Sequence, residues 1–231
     1  MDREGYPGRT GAEETLMTLG KFITLEGPEG SGKTTQAKIL VEQLTAQGIE
    51  VVVTREPGGT PTGELIRRIL QHDETGEAIS AEAEVFLFAA SRAQHVHHVI
   101  RPALAAGKWV ICDRFIDSTT AYQGYGRDIP VSRLQEINAF AIGDTRPDCT
   151  LLFDIDVQRA MQRLASRLEE TGGSADRIEQ ESLAFHERVR AGYLELAAAE
   201  PNRFCVVDAD REPEAIASSV WEHICSIGGF A

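Results

Sequence analysis

Gly27-Pro-Glu-Gly-Ser-Gly-Lys-Thr34 is the stretch on which the fold turns. It follows a short apolar run, Phe22, Ile23 and Leu25, that reads as a strand over Lys21 to Glu26. It opens a helix from about Lys33 to Gln47, which Gly48 stops. The spacing is that of Gly-x4-Gly-Lys-[Ser/Thr] in its required strand, loop, helix setting. Such a loop wraps its backbone N–H groups around phosphate oxygens, adds the positive end of a helix and the full charge of Lys33, and places Thr34 where it can ligate magnesium. Gly27, Pro28, Glu29, Gly30, Ser31, Gly32, Lys33, Thr34 and Thr35 are therefore the candidate nucleotide-binding residues. Glu29, a carboxylate inside an anion-binding loop, is suited to holding a substrate hydroxyl or a magnesium-bound water.

Working outward, Val51 to Thr54 reads as a fully buried strand, and Trp109 to Cys112, Leu151 to Ile155 and Phe204 to Val207 as three more. Helical periodicity covers Leu65 to Leu70, Glu82 to Leu104, Leu134 to Phe140, Met161 to Leu168, Leu183 to Ala199 and Ile216 to Ile227. Short buried strands alternating with helices imply an α/β protein of the P-loop NTPase fold, its parallel five-stranded sheet covered by helices on both faces. Ligands bind such sheets at the carboxyl ends of the strands. Residues 1–20 carry no apolar leader core and are expected to form a disordered extension, leaving 21–231 as a single domain.

The composition narrows the function. A net charge of −13 over 231 residues argues against a protein devoted to the nucleic-acid backbone, so an anionic ligand must be met by local cations. No apolar run reaches the length of a membrane span. Cys112, Cys149, Cys205 and Cys225 lack the short spacing of zinc or redox pairs and are expected to be reduced thiols of a cytoplasmic protein. Asp113 and Arg114 follow the third strand, the carboxylate within reach of a magnesium water shell and the guanidinium able to clamp phosphate, and Arg55 ends the second strand in an equivalent place.

These segments together resemble the thymidylate kinases, particularly the bacterial ones. The resemblance runs from about Lys21 to the end. It is carried by Glu26 to Thr35, Thr54-Arg-Glu-Pro-Gly-Gly-Thr60, Phe88-Ala-Ala-Ser-Arg92, Asp113-Arg-Phe, Ser118 to Gln123, Arg146-Pro-Asp148 and Asp176-Arg-Ile-Glu-Gln-Glu-Ser182. It implies transfer of the terminal phosphoryl group of ATP to dTMP with Mg2+, in a homodimer. It implies that Phe88 stacks on thymine and Arg92 bonds a base carbonyl; four apart on one helix, the two share a face. It also implies that Arg67, with Arg55, Pro57 and Arg114, lines the monophosphate pocket, and that Ser118, Thr119, Tyr122 and Gln123 lie beside base and deoxyribose.

Arg159, Arg163, Arg167, Gly172 and Gly173 resemble a mobile lid, about 157–178, that closes over ATP. Kinases of the group it resembles place a transition-state arginine in the phosphate loop or in the lid, and Pro28 to Ser31 contain none, so the resemblance implies that the lid supplies it from Arg163 or Arg167. The expected catalytic set is Lys33, Arg114, Glu29, Arg163 and Arg167, with Thr34 and Asp113 for the metal. His95, His97 and His98 read as helix-surface residues. Two other readings stay open on residues alone: a kinase for a different nucleotide or a deoxynucleoside, and a nucleotide-dependent switch.

Overall fold

The structure, a computed structural model, describes residues 20–72 and 76–230. The extension expected over residues 1–20 lies outside them apart from Gly20. Five parallel strands, β1 (Phe22–Glu26), β2 (Val51–Arg55), β3 (Trp109–Asp113), β4 (Cys149–Asp154) and β5 (Phe204–Asp208), form one sheet in the order β2-β3-β1-β4-β5. Around it lie α1 (Lys33–Ala46), α2 (Pro61–Gln71), α3 (Ala81–His95), α4 (Arg101–Ala105), α5 (Ile116–Thr119), α6 (Val131–Ile142), α7 (Val157–Thr171), α8 (Leu183–Ala199) and α9 (Pro213–Gly228). π-helical turns, Val96–Ile100 and Thr120–Gly126, join α3 to α4 and extend α5.

Successive side chains of a strand face opposite ways, so a sheet covered twice needs apolar residues at consecutive positions. Ile23 and Leu25 of β1 pack into a core with Leu40 and Leu44 of α1 and Ile216, Val220 and Ile224 of α9. Phe22 of the same strand joins Val110, Cys112, Ile100, Ala103 and Ile142 on the other side. A third cluster seats Phe185, Val189 and Tyr193 of α8 against Leu152 and Phe204. At roughly 25 cal/mol per Å2 of apolar area, these layers are the main favourable contribution to folding.

β2 departs from its sequence reading. It is an edge strand paired only with β3, and Val53 is 58% exposed. An apolar run marks a strand without saying whether a neighbour and a helix cover it. The parallel register sets Leu25 and Arg55 both opposite Asp113. Thus the ends of β1, β2 and β3 open onto a single edge, and the phosphate loop lies on it.

Candidate active site

The phosphate loop owes its shape to its glycines. Gly27, Gly30 and Gly32 all have positive φ. A Cβ on Gly30 would sit 2.2 Å from the Ala160 carbonyl oxygen of α7, so only glycine lets the loop lie against that helix. A Cβ on Gly32 would meet nothing, because this side of the loop faces the cleft. α1 begins here without a side-chain cap, leaving the N–H groups of its first turn for an anion. Lys33 Nζ donates to the carbonyls of Gly27 and Pro28 at 3.0 and 2.7 Å. Burial and the Arg114 charge draw its pKa down to about 8, against Glu29, Asp113 and Glu26.

Arg114 occupies the left-handed region at φ 68°, unusual for a residue with a side chain. It is held there on all sides. Its backbone N–H donates to Leu25, and its guanidinium to Glu29, Ser118, Tyr122 and Tyr193. Burial would raise the Glu29 carboxyl, but Arg114 and Lys33 outweigh it and bring the pKa to about 2. Thr34 Oγ1 lies 3.5 Å from Asp113 Oδ2, and Asp113 Oδ1 is buried with no partner among the described residues. A hydroxyl beside a carboxylate with unused acceptor capacity suits a hydrated magnesium ion, which takes few protein ligands.

Two cavities meet behind this edge. The phosphate cleft is bordered by Lys33, Thr34, Arg55, Asp113, Arg163 and Arg167. A smaller, more apolar pocket is lined by Pro57, Phe88, Arg92, Ser118, Thr119, Tyr122 and Gln123. Glu29, Arg67 and Arg114 belong to both. Phe88 and Arg92 face the pocket from one side of α3, as their spacing predicts. Arg92 is 1% exposed and donates from Nε to Glu56, from Nη1 to Asn138 and from Nη2 to the Phe115 carbonyl.

The chain matches the family model described as thymidylate kinase over residues 25–220. The thymidylate kinase of Afipia carboxidovorans is 47% identical over 88% of this chain and 88% of that one. For the enzyme of Solidesulfovibrio magneticus the figures are 51%, 87% and 96%. A crystal structure of thymidylate kinase from Ehrlichia chaffeensis superposes with a TM-score of 0.70 at 35% identity, covering 89% of this chain and 98% of that one. The chain belongs to the thymidylate kinase family.

As a thymidylate kinase family member it arranges its remaining expected residues unevenly. Arg67 donates to the Pro57 carbonyl at 3.0 Å, at the junction of the two cavities. Arg55 borders only the phosphate side and forks onto both oxygens of Glu64. Ser118 is committed to Glu26 at 2.6 Å, while Thr119 Oγ1 is buried without a partner among the described residues. Arg163 donates to the Ala209 carbonyl and Arg167 to Glu179. Gly172, expected as part of a lid hinge, is the left-handed C-cap of α7.

The histidine expectation needs correction. His95 is fully buried, held by Thr54 Oγ1 at 2.6 Å and Glu56 Oε1 at 3.0 Å. The loop after β2 covers the flank of α3 that the helix pattern leaves bare. The reading of residues also missed Glu26, whose carboxylate accepts from Phe115, Ser118 and Tyr193. Nor did it find Glu56, Asn138 or Glu84, which hold Arg92 and Gln123. Glu84 precedes Phe88 by the spacing that links Phe88 to Arg92, and that signal was available.

Proposed function

We propose that the protein phosphorylates dTMP to dTDP, with ATP as donor and Mg2+ as metal, in the cytoplasm as a step of dTTP biosynthesis. The observation that carries this reading is the shared wall of Glu29, Arg67 and Arg114 between phosphate cleft and acceptor pocket. A phosphate loop alone requires no second, apolar pocket, and a nucleotide switch would have no use for one.

ATP lies with its phosphates on the loop from Gly27 to Thr35, and thymine enters between Phe88 and the Tyr122 side, its edge on Arg92 and Gln123. Arg67 and Arg114 take the acceptor monophosphate beside Lys33, with Arg55 and Pro57 around it. An acceptor oxygen attacks the terminal phosphorus of ATP, the bond to the bridging oxygen breaks, and ADP departs. A phosphate monoester has a second pKa of about 6, so it is largely dianionic at neutral pH and no protein base is required. The enzyme's part is alignment and charge neutralisation, with Lys33, Arg114 and the lid arginines Arg163 and Arg167 around the migrating group. Thr34, and Asp113 through water, would hold the magnesium, which shields phosphate charge when bound. Glu29, ionised at neutral pH, steadies Arg114 on the acceptor side.

Residues 21–231 act as a single kinase domain in which the segment about 157–178 closes over ATP. The enzyme works as a homodimer through α2, α3 and α6, which pack side by side and carry Leu65, Ile69, Phe86 and Phe140 exposed. Among the described residues no helix is long and apolar enough to cross a membrane, and all four cysteines are free, in keeping with a reducing compartment. ADP formation measured with dTMP, dUMP, AMP, GMP, CMP and thymidine should be fastest with dTMP. Preference for another acceptor, or hydrolysis indifferent to dTMP, sinks the proposal.

A further inference from the structure

Gln123 is 1% exposed and lines the acceptor pocket. Its amide has a donor end and an acceptor end, and which end meets a ligand decides which base edge fits. Glu84 is 1% exposed, one turn before Phe88 on α3, and Gln123 Nε2 donates to its Oε1 at 2.7 Å. Arg127 approaches both oxygens and Arg177 donates to Oε2. Burial raises the carboxyl, but the Gln123 amide and the two guanidinium groups outweigh it and keep it below the ordinary carboxylate range. An ionised carboxylate only accepts hydrogen bonds, so the amide must turn its NH2 toward Glu84. The free end is then Oε1, an acceptor.

Arg92 completes the pattern. Three of its five N–H groups are taken by Glu56, Asn138 and Phe115, leaving two as donors. A donor from Arg92 and an acceptor from Gln123 complement an edge with a carbonyl next to a ring N–H, as in thymine and uracil. Cytosine has the reverse, an amino group next to a bare ring nitrogen.

We propose that Glu84 is a positioning residue for base selection: it fixes the Gln123 amide with its carbonyl oxygen toward the pocket, so that an acceptor base lacking the ring N–H is refused. Arg177 is itself tied to α2, donating from Nε and from its backbone to the last carbonyls of that helix, Leu70 and Gln71. The inference rests on the dTMP kinase reading above.

The test compares kcat/KM for dTMP and 5-methyl-dCMP, two acceptors of the same shape with inverted edges, in the unaltered enzyme, Glu84→Gln and Gln123→Leu. A neutral residue 84 lets the amide sit either way, so in Glu84→Gln the preference for dTMP should fall by about tenfold or more, as expected when a buried polar match is lost. Gln123→Leu should lose a similar factor, and the double variant should lose no more than Gln123→Leu alone. The dTMP to dUMP ratio, which depends on the methyl group, should not move. Unchanged preference in either single variant overturns the proposal. If Glu84→Gln does not fold, Glu84→Asp, which keeps the charge for Arg177 but withdraws it from Gln123, takes its place with the same two outcomes. Absence of dTMP-dependent ADP formation in the unaltered enzyme would instead defeat the parent reading.

Discussion

The acceptor pocket and the phosphate cleft are both lined with arginine, yet they are built differently. Arg92 and Arg114, at the pocket, are 1% and 14% exposed, and each is held by three or more groups from different elements. Arg163 and Arg167, at the cleft, are 39% and 50% exposed, and among the described residues the Arg167 guanidinium is held by Glu179 alone. A buried guanidinium pinned by several partners recognises one shape, because moving it would strand a charge. An exposed one with a single partner can exchange that partner for a ligand more cheaply than one held by several. On the proposed reading the pocket is preorganised for a base, while at the cleft Arg167, less tied than Arg163, has the freedom to follow a phosphoryl group.

Arg167 gives the largest expected effect. Its charge already reaches Glu29 in the phosphate loop, whereas Arg163 is bound to the Ala209 carbonyl and Asp210 on the β5 side. Arg167→Ala should therefore lower kcat by about 1,000-fold, as removal of a transition-state arginine does, with KM for dTMP nearly unchanged. Arg163→Ala should cost much less. Steady-state kinetics on both variants decide, and a more damaged Arg163→Ala would invert the assignment.

Phe88→Ala probes the other side of the comparison. Stacking of a base on an aromatic ring contributes about 1–3 kcal/mol, so KM for dTMP should rise roughly ten- to hundredfold while kcat is largely kept. A matched fall in kcat would show that the pocket orients the reaction as well as binding the base.

Legibility in the sequence follows the same division. The phosphate loop is readable because its work is done by contiguous residues whose backbone angles demand glycine. Phe88 and Arg92 are readable because one helix turn joins them. Glu84 lies one turn earlier, but an acidic residue in the first turn of a helix already has a reason to be there. Tyr193 meets Glu26 across 167 residues, and no periodicity links them. The burial of His95 and the exposure of Val53 depend on which element comes to lie alongside, information that is in the assembled sheet and absent from any single segment. Polar contacts between distant elements, which hold the pocket together, were thus the part that local pattern could not supply.

The smallest effect concerns two carboxylates on either side of Arg114. Burial and the charge of Asp117 raise Glu26 from 4.5 to about 7, against Arg114, Ser118 and Tyr193, while Glu29 is brought down to about 2. A carboxyl raised in the folded state contributes stability when protonated: fully below its unfolded value of 4.5, and lost as pH rises through about 7. Glu29 has the opposite sign, contributing above 4.5 and losing that only as pH falls toward 2. Between pH 5 and pH 8 Glu26 alone of the pair changes state. Burial also lowers His186 and His223 from the ordinary histidine value, so the informative quantity is a difference between proteins. Glu26→Gln, which cannot ionise, should gain on the unaltered protein by a few degrees in Tm between pH 5 and pH 8, at about 2–4 °C per kcal/mol for a chain of this size. Parallel melting curves across that window would mean that the hydrogen bonds from Phe115, Ser118 and Tyr193 keep Glu26 ionised throughout, so that Arg114 is met by two charged carboxylates at every pH in it.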